Sequence, residues 1–516
     1  MATPIPPNRA RFTLEEVLSA TGGRVLRAPA EATDAAVSDA AGPVQAVSCV
    51  VTDTRSLVAG ALFVALRGER FDGHDFLSQA IAGGASLLLI DEVAAAASTA
   101  RWPIDVVVVR DTLVALGDLA AWHCERWGGQ IVGVGGSAGK TTTKGVSARL
   151  LEALAPGAVW ATPGNLNNRI GVPMTLLALA EQHRIAVIEM GTNQPGEMAE
   201  LSRIVRPDAA LLTLIDLEHT EGLGDLDGVE REEAGLFEHL RPTGVAIGYR
   251  GDERVARQLE LRSVGVRRLA YDLAPGAYAE LLERHTEPSG ETRLRVRLGE
   301  RELTVESRLL GRAGALAVLG GLCACEALFP GRIDGPLASR ALSDAGEPGR
   351  SQLLRLRGEL LVLDDTYNSN PASVENSLAT GSELAQSTGG RLWLVLGAML
   401  ELGSLSQAAH EHLGDACRAS GAVALWGIAG DAQYLVRRAQ ERGLEAYFHA
   451  DVSGVAEALV PRLAAGDVVV VKASRGVRAE RVVAELVERI GLATPVSATS
   501  QAQGRPDAGQ APGRLE

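Results

Sequence analysis

Lysine is almost missing from this chain. Of its 50 basic residues only Lys140, Lys144 and Lys472 are lysines, so 50 − 3 = 47 are arginines. Ordinary surface cations have drifted to arginine, and a retained lysine points to a place where a compact ammonium does what a planar guanidinium cannot. Positive charge is in deficit as well. With 64 acidic residues against 50 basic ones the net charge is −14, which argues against a general binder of nucleic acid or anionic membrane. Any phosphate site must therefore be local, built from backbone N–H groups and a few cations. An uninterrupted apolar run of about 18 residues is also lacking, so no membrane span is expected. Paired cysteine motifs are absent too: Cys49, Cys124, Cys323, Cys325 and Cys417 form no C-x-x-C. They read as reduced, buried thiols. Met1 to Arg11 carries prolines and no apolar core, unlike a secretory signal.

What the chain does have is glycine, 58 of 516 residues, and a hydrophobic fraction of 46%, ordinary for a globular protein. Its length predicts about three domains at roughly 150 residues each. The class is α/β. A small α/β domain is expected over 1–112, opened by the capping box Thr13-Leu-Glu-Glu16, with strands at 46–52, 61–66, 86–90 and 105–109 and a helix at 75–82. A central P-loop domain with a parallel sheet follows over 113–335, its strands including 130–134, 185–189 and 209–213, with an antiparallel edge hairpin over 292–306. A doubly wound, Rossmann-like domain spans 336–493 with strands at 360–364, 392–396, 422–426 and 468–471. Residues 494–516, rich in Ala, Gln, Gly, Pro and Ser, read as a disordered tail.

Gly135-Gly-Ser-Ala-Gly-Lys140-Thr-Thr142 lies between an apolar strand and a helix, where a phosphate-binding loop belongs. Gly136, Ser137, Ala138 and Gly139 would turn backbone N–H groups toward phosphates. Lys140 would reach the terminal phosphates, Thr141 would ligate Mg²⁺ and Thr142 would follow at the helix start. The strict pattern wants a glycine where Val134 stands. ATP is the expected cofactor, with Mg²⁺. Glu189 ends the strand 185–189 and reads as a metal ligand, since an acid ending a buried strand must be paired or metal-bound. His219 follows the next strand on the same edge; from spacing alone its ordinary reading is a surface or core histidine. The acidic run Glu230-Arg-Glu-Glu233 reads as a solvated helix face with i, i+4 partners.

Taken together, these segments resemble the Mur ligases, ATP-dependent amide-forming enzymes of peptidoglycan synthesis, over essentially Phe12 to Gly491. The resemblance is carried by Thr162-Pro-Gly-Asn-Leu-Asn-Asn-Arg-Ile-Gly-Val-Pro173, Glu189-Met-Gly-Thr-Asn-Gln-Pro-Gly-Glu197, Asp364-Asp-Thr-Tyr-Asn-Ser-Asn-Pro371 and Leu396-Gly-Ala-Met-Leu-Glu-Leu-Gly403, where Ala398 replaces the family's Asp. Thr52-Asp-Thr-Arg55 and Phe71-Asp-Gly-His-Asp-Phe76 match the UDP-sugar-binding domain. The segments are those of the branch that takes UDP-N-acetylmuramoyl-tripeptide and D-alanyl-D-alanine. The resemblance implies that Thr141, Glu189 and His219 hold metal, that Arg350 and Asp365 close on ATP, and that Lys472 approaches the reacting phosphate. It further implies substrate contacts at Thr54, Arg55, Asn165, Asn168, Tyr367, Asn368 and Asn370. A cytoplasmic monomer with no nucleic-acid partner is expected.

Two departures stand out. Where the family carries a carbamylated lysine this chain has Glu233, which would present the same charge on a shorter arm and take that lysine's place among the catalytic and metal-binding residues. Where the family has its adenine contacts, the chain reads Gly311-Arg-Ala-Gly-Ala-Leu-Ala317. A sister ligase using another amine, and a degenerate homologue that only binds, remain as rival readings.

Overall fold

The computed structural model describes residues 3–27, 46–68, 71–97 and 102–493. The tail expected at 494–516 lies outside them. Three sheets, one after another along the chain, organise the fold.

The first has five strands in the order Arg24–Leu26, Asp105–Val109, Leu87–Asp91, Leu62–Val64 and Val50–Val51, all parallel except the first. The expected strand over 46–52 shrinks to two residues, and the helix placed at 75–82 splits into a 3₁₀ turn Gly73–Phe76 and a helix Leu77–Ala82. The Thr13 capping box forms as read, and Gly22 closes its helix in the left-handed region.

The second sheet has nine strands. Val159–Ala161, Ile185–Glu189, Gln130–Gly135, Ala209–Leu212, Val245–Tyr249 and Arg267–Asp272 run parallel. Ala279–Thr286, Thr292–Leu298 and Arg301–Ser307 finish it as an antiparallel edge. Strand Ile185–Glu189 is buried along its whole length, as its unbroken apolar run requires. Strand Gln130–Gly135 sits between Ile185–Glu189 and Ala209–Leu212, so the strand order reverses beside it, and ligands of open α/β sheets collect at such a point.

The third sheet has six strands. Gln352–Leu356 runs antiparallel to Leu360–Asp365, and Val468–Lys472, Leu392–Gly397, Ala424–Ile428 and Glu445–His449 follow in parallel. Here Val468–Lys472 lies at the reversal, so Lys140 and Lys472 each occupy the carboxyl edge of a sheet at its switch point.

Helix Gly335–Leu342 packs on strand Arg301–Ser307 and helix Lys140–Leu154 of the second layer. We therefore propose that the third module begins after Leu342 rather than at 336. Helix Gly311–Leu328 is apolar and long enough, by composition alone, to cross a membrane; it is instead a core helix, 72% buried against the second sheet. All five cysteines are free and buried.

Candidate active site

The loop after strand Gln130–Gly135 can turn as it does because Gly136 takes φ +118° and Gly139 φ +84°, both left-handed. Helix Lys140–Leu154 starts directly after Gly139 with no side chain capping it, which leaves its first N–H groups for an anion. Thr213 ties the loop down, its hydroxyl donating to Gly135 O at 3.0 Å and Ala138 O at 2.7 Å. Ser137 is engaged too, accepting from Asp216 N at 3.0 Å.

The three lysines converge on this region, each facing an acid. Lys140 Nζ pairs with Glu218 at 2.8 Å, Lys144 Nζ lies 3.8 Å from Glu189, and Lys472 Nζ pairs with Asp365 at 2.7 Å. Burial opposes the charge on Lys140, but Glu218, Glu233 and Glu189 outweigh it and hold the ammonium above its ordinary value. Burial likewise opposes the charge on Asp365, and Lys472 together with the Ser377 hydroxyl and Ser351 N–H pulls the carboxyl below the usual range.

Glu189 is 1% exposed. Its Oε1 accepts from Thr141 Oγ1 at 3.0 Å and Asn167 Nδ2 at 2.9 Å. Its buried Oε2 receives no hydrogen bond. A buried carboxylate oxygen without a donor, beside the P-loop threonine, suits a hard cation, so Thr141 and Glu189 fit Mg²⁺. Glu233 and His219 each have partners of their own. Glu233 Oε2 accepts from Gly136 N at 2.7 Å, and burial pushes this acid up to about 7 even though Lys140 pulls the other way. His219, itself left-handed at φ 52°, pairs through Nδ1 with Glu401 of the third module at 2.5 Å. Burial disfavours its charge, but Glu401 and Glu218 prevail and keep it above its ordinary value. Among the described residues no three His, Cys, Asp or Glu side chains form a ready metal cage.

The acidic run corrects the sequence reading. Glu230, Glu232 and Glu233 are not a solvated face but 5%, 7% and 1% exposed. Glu230 is held by Arg254, Arg257 and Gln258. Glu232 accepts from Thr192 Oγ1 at 2.8 Å, Gly196 N at 2.6 Å and Met198 N at 2.7 Å. A hydrogen-bond partner for each acid is what makes this burial tolerable.

One cavity of about 690 Å³ lies between the second and third modules. Ser137–Thr143, Glu189 and His219 line it from one side and Arg350, Asp365, Tyr367, Asn368, Asn370 and Lys472 from the other. Arg350 stacks on Tyr367, its guanidinium carbon 3.9 Å from the ring centre. Asn370 caps helix Pro371–Thr388 and reaches Ser137 O at 3.5 Å, while Asp216 accepts from Ala372 N at 2.7 Å, so an acid of the second module meets the positive end of that helix. Asn165 lines the cavity and accepts from Thr3; Asn168 caps the turn into helix Gly171–Leu177. Thr54 and Arg55 do not line the cavity; they sit on the first module, where Arg55 pairs with Asp53 at 2.5 Å. Sequence reasoning missed Glu218, Asn167 and Glu401. Lysine scarcity flagged Lys144 without naming its partner, and Asn167 stood unread between two residues that had been singled out.

A phosphate loop at one sheet's switch point, closed over by a second sheet bearing its own buried lysine, defines a nucleotide-dependent enzyme with a two-module cleft. Models of three Mur ligase domains match: the Mur ligase family catalytic domain over residues 46–123, the middle domain over 134–325 and the glutamate ligase domain over 349–475. A UDP-N-acetylmuramoyl-tripeptide–D-alanyl-D-alanine ligase of Escherichia coli K12 is 37% identical over 383 residues, 73% of this chain and 80% of the relative. The crystal structure of MurF from Acinetobacter baumannii superposes with a TM-score of 0.79 at 26% identity, covering 94% of this chain and all of that one (100%). MurF ligase from Thermotoga maritima, solved in complex with ADP, gives 0.75 at 27% identity, covering 86% and 97%. The chain belongs to the Mur ligase family.

Proposed function

We propose that this chain is the ligase that adds D-alanyl-D-alanine to UDP-N-acetylmuramoyl-tripeptide, with ATP converted to ADP and phosphate, in peptidoglycan precursor synthesis. The observation that carries this reading is the cleft itself: the P-loop with Lys140, Thr141 and Glu189 faces Lys472 and Asp365 across one cavity.

The chemistry follows from the charges. A carboxylate oxygen of the tripeptide attacks the γ-phosphorus, ADP leaves, and an acyl phosphate forms. The dipeptide amine attacks the acyl carbon, the C–N bond forms, and phosphate departs with the C–O electron pair while the amine gives up a proton. Both steps crowd anionic oxygens, so oriented N–H donors and cations supply the catalysis. The N–H groups from Ala138 to Thr142 and Lys140 hold the terminal phosphates, since those of Gly136 and Ser137, expected to face phosphate as well, donate to Glu233 and Leu214 O; Lys472 neutralises the transferring group from the opposite wall. Mg²⁺ would add charge neutralisation at those phosphates, held by Thr141 and Glu189, with His219 and Glu233 as further ligands. Glu233 would present a carboxylate without carbamylation, charged above its raised value of about 7, so turnover is expected to be indifferent to removal of CO₂; Glu233→Ala with unchanged rate and metal dependence would sink that role. Closure of the modules excludes water from the acyl phosphate. Thr54 and Arg55 of the first module, with Asn165 and Asn168, would contact the UDP-linked substrate, and Tyr367, Asn368 and Asn370 would lie toward the peptide. Nucleotide-linked substrates and ATP fit a cytoplasmic reaction, and one chain holds the whole cleft, so a monomer suffices.

A binding-only homologue is the second reading, favoured by Ala313, Gly314 and Ala317 at the nucleotide end. Phosphate release by purified protein with UDP-muramoyl-tripeptide, ATP and Mg²⁺ decides. Release that requires D-alanyl-D-alanine supports the ligase; release with another amine makes it a sister enzyme; nucleotide binding without release makes it the binding homologue.

A further inference from the structure

Of the three lysines, Lys140 and Lys472 have phosphates to meet, but Lys144 has no part in the steps above. It is nonetheless 5% exposed. It sits on helix Lys140–Leu154, one turn after Lys140. Like charges four residues apart on a helix repel, so Lys144 is kept at a local cost. A buried ion pair can often be replaced by apolar residues of similar volume without loss of stability, so packing alone does not account for an ammonium here.

Its partners are unequal. Lys144 Nζ donates to Thr162 O at 3.0 Å and to Gly164 O at 3.5 Å, two carbonyls that carry no net charge. The acid it faces is Glu189, whose Oε2 lies 3.8 Å away. That is too long for a hydrogen bond, and among the described residues no donor reaches this oxygen. The ammonium is therefore tethered just short of the carboxylate, offsetting its charge while leaving its lone pairs free. The tether is built into the strand end. Thr162 Oγ1 accepts from Glu189 N at 2.9 Å, and Asn167 O accepts from Gly191 N at 2.9 Å, so the loop that restrains Nζ is fixed to the strand that carries Glu189. A compact ammonium fits such a gap; a planar guanidinium would fork onto the carboxylate and cover it.

We propose that Lys144 is a positioning residue of the metal seat: a tethered counter-charge that offsets Glu189 before ligands bind, so that a divalent cation settles there only together with nucleotide phosphates. This rests on the metal and nucleotide seat of the reading above, not on the amine substrate. Lys144 cancels the charge of Glu189 and Lys140 cancels that of Glu218, which leaves Glu233 as one further acid beside the loop. A bare dication would meet little net negative charge and a neighbouring ammonium. A nucleoside triphosphate brings several negative charges of its own, and Mg²⁺ is ordinarily held by one or two carboxylates plus such phosphates. Entry of metal and nucleotide as one unit would spare the enzyme an unproductive metal-only state.

The test is binding of Mn²⁺ alone to the nucleotide-free enzyme, read by electron paramagnetic resonance. Lys144→Met, uncharged and of similar length, is expected to bind Mn²⁺ about tenfold or more tightly than the wild type, because a repelling charge has gone. Lys144→Gln, which keeps a donor for Thr162 O, should show the same gain and serves if the Met variant does not fold. The sign is what decides: a lysine that only braced the loop would give weaker binding on removal, and unchanged or weaker affinity in the uncharged variants overturns the proposal. The gain should vanish in Lys144→Met with Glu189→Gln, measured against Glu189→Gln alone; a gain that survives there overturns it too. The wild type supplies a check without any variant. Mn²⁺ should bind about tenfold or more tightly with β,γ-methylene-ATP present than without it, within the usual span of coupling between two ligands; equal affinities overturn the proposal. Absence of bound Mn²⁺ even with the analogue is a different failure, since it removes the metal seat itself and this role with it.

Discussion

At one end of the main cleft three ammonium groups each face a carboxylate: Lys140 with Glu218, Lys472 with Asp365, Lys144 beside Glu189. Toward the start of helix Gly311–Leu328 the same cleft is lined by Ala313, Gly314, Leu316 and Ala317. The first end positions ligand atoms by electrostatics and fixed donors, which act strongly in a water-poor site. At the second, these four residues offer no side-chain hydrogen bond to a nucleotide base, only contact area. We propose that the enzyme reads its phosphates closely and its base loosely.

The largest effect belongs to the charged end. Lys140→Ala is expected to lower kcat for phosphate release by about 10³-fold, the upper range for loss of one transition-state donor; a loss under tenfold would break the contrast. Lys472→Arg comes next. The lysine is 2% exposed and its Nζ is fixed by Asp365 at 2.7 Å and Asn368 O at 2.9 Å, so a wider guanidinium does not fit and kcat should drop about 10²-fold in the same assay. At the other end, replacing ATP by GTP should change kcat/KM by less than about 10²-fold, because only a pocket built to hydrogen-bond its ligand rejects a relative by about 10⁴. Discrimination of that larger order in a competition assay would show that the base is read by groups other than the helix start.

The smallest effect concerns stability. Burial opposes the charge on Glu230, yet hydrogen bonds from Arg257, Gln258 and Arg254 pull it from 4.5 down to about 2. A lowered folded-state value means stability that is present above the unfolded value and lost as pH falls toward the folded one. Glu230 sits on helix Leu226–Glu233, which delivers Glu233 to Gly136, so acid should loosen the bed of the phosphate end. Denaturant midpoints of wild type and Glu230→Gln should differ most above about pH 5 and converge toward pH 2. A gap that stays constant with pH would refute this.

Ile185–Glu189, Leu392–Gly397 and Val468–Lys472 could be read from the chain because parallel strands buried on both faces spell uninterrupted apolar runs. Val159–Ala161, Gln352–Leu356 and Glu445–His449 escaped because edge strands are half wet and carry mixed residues, and Arg267–Asp272 because it opens on two exposed arginines; Val245–Tyr249 and Ala279–Thr286 escaped as well. Within the site, Lys140, Thr141, Glu189 and Lys472 announced themselves by motif or by rarity. Glu218 and Glu401 did not, since their roles arise from contacts across 78 residues and across the module boundary respectively. The run Glu230–Glu233 misled for a related reason: charge along a helix reads as a wet face unless the arginines and backbone N–H groups that meet it are visible, and those come from other elements.

Lysine scarcity has a practical corollary. All three lysines lie in the cleft or immediately behind it, so a lysine-specific endoprotease finds nothing to cut on the outer surface of the molecule. The onset of its cleavage would time the parting of the two modules, and amine-reactive labels would report on that same event rather than on the exterior.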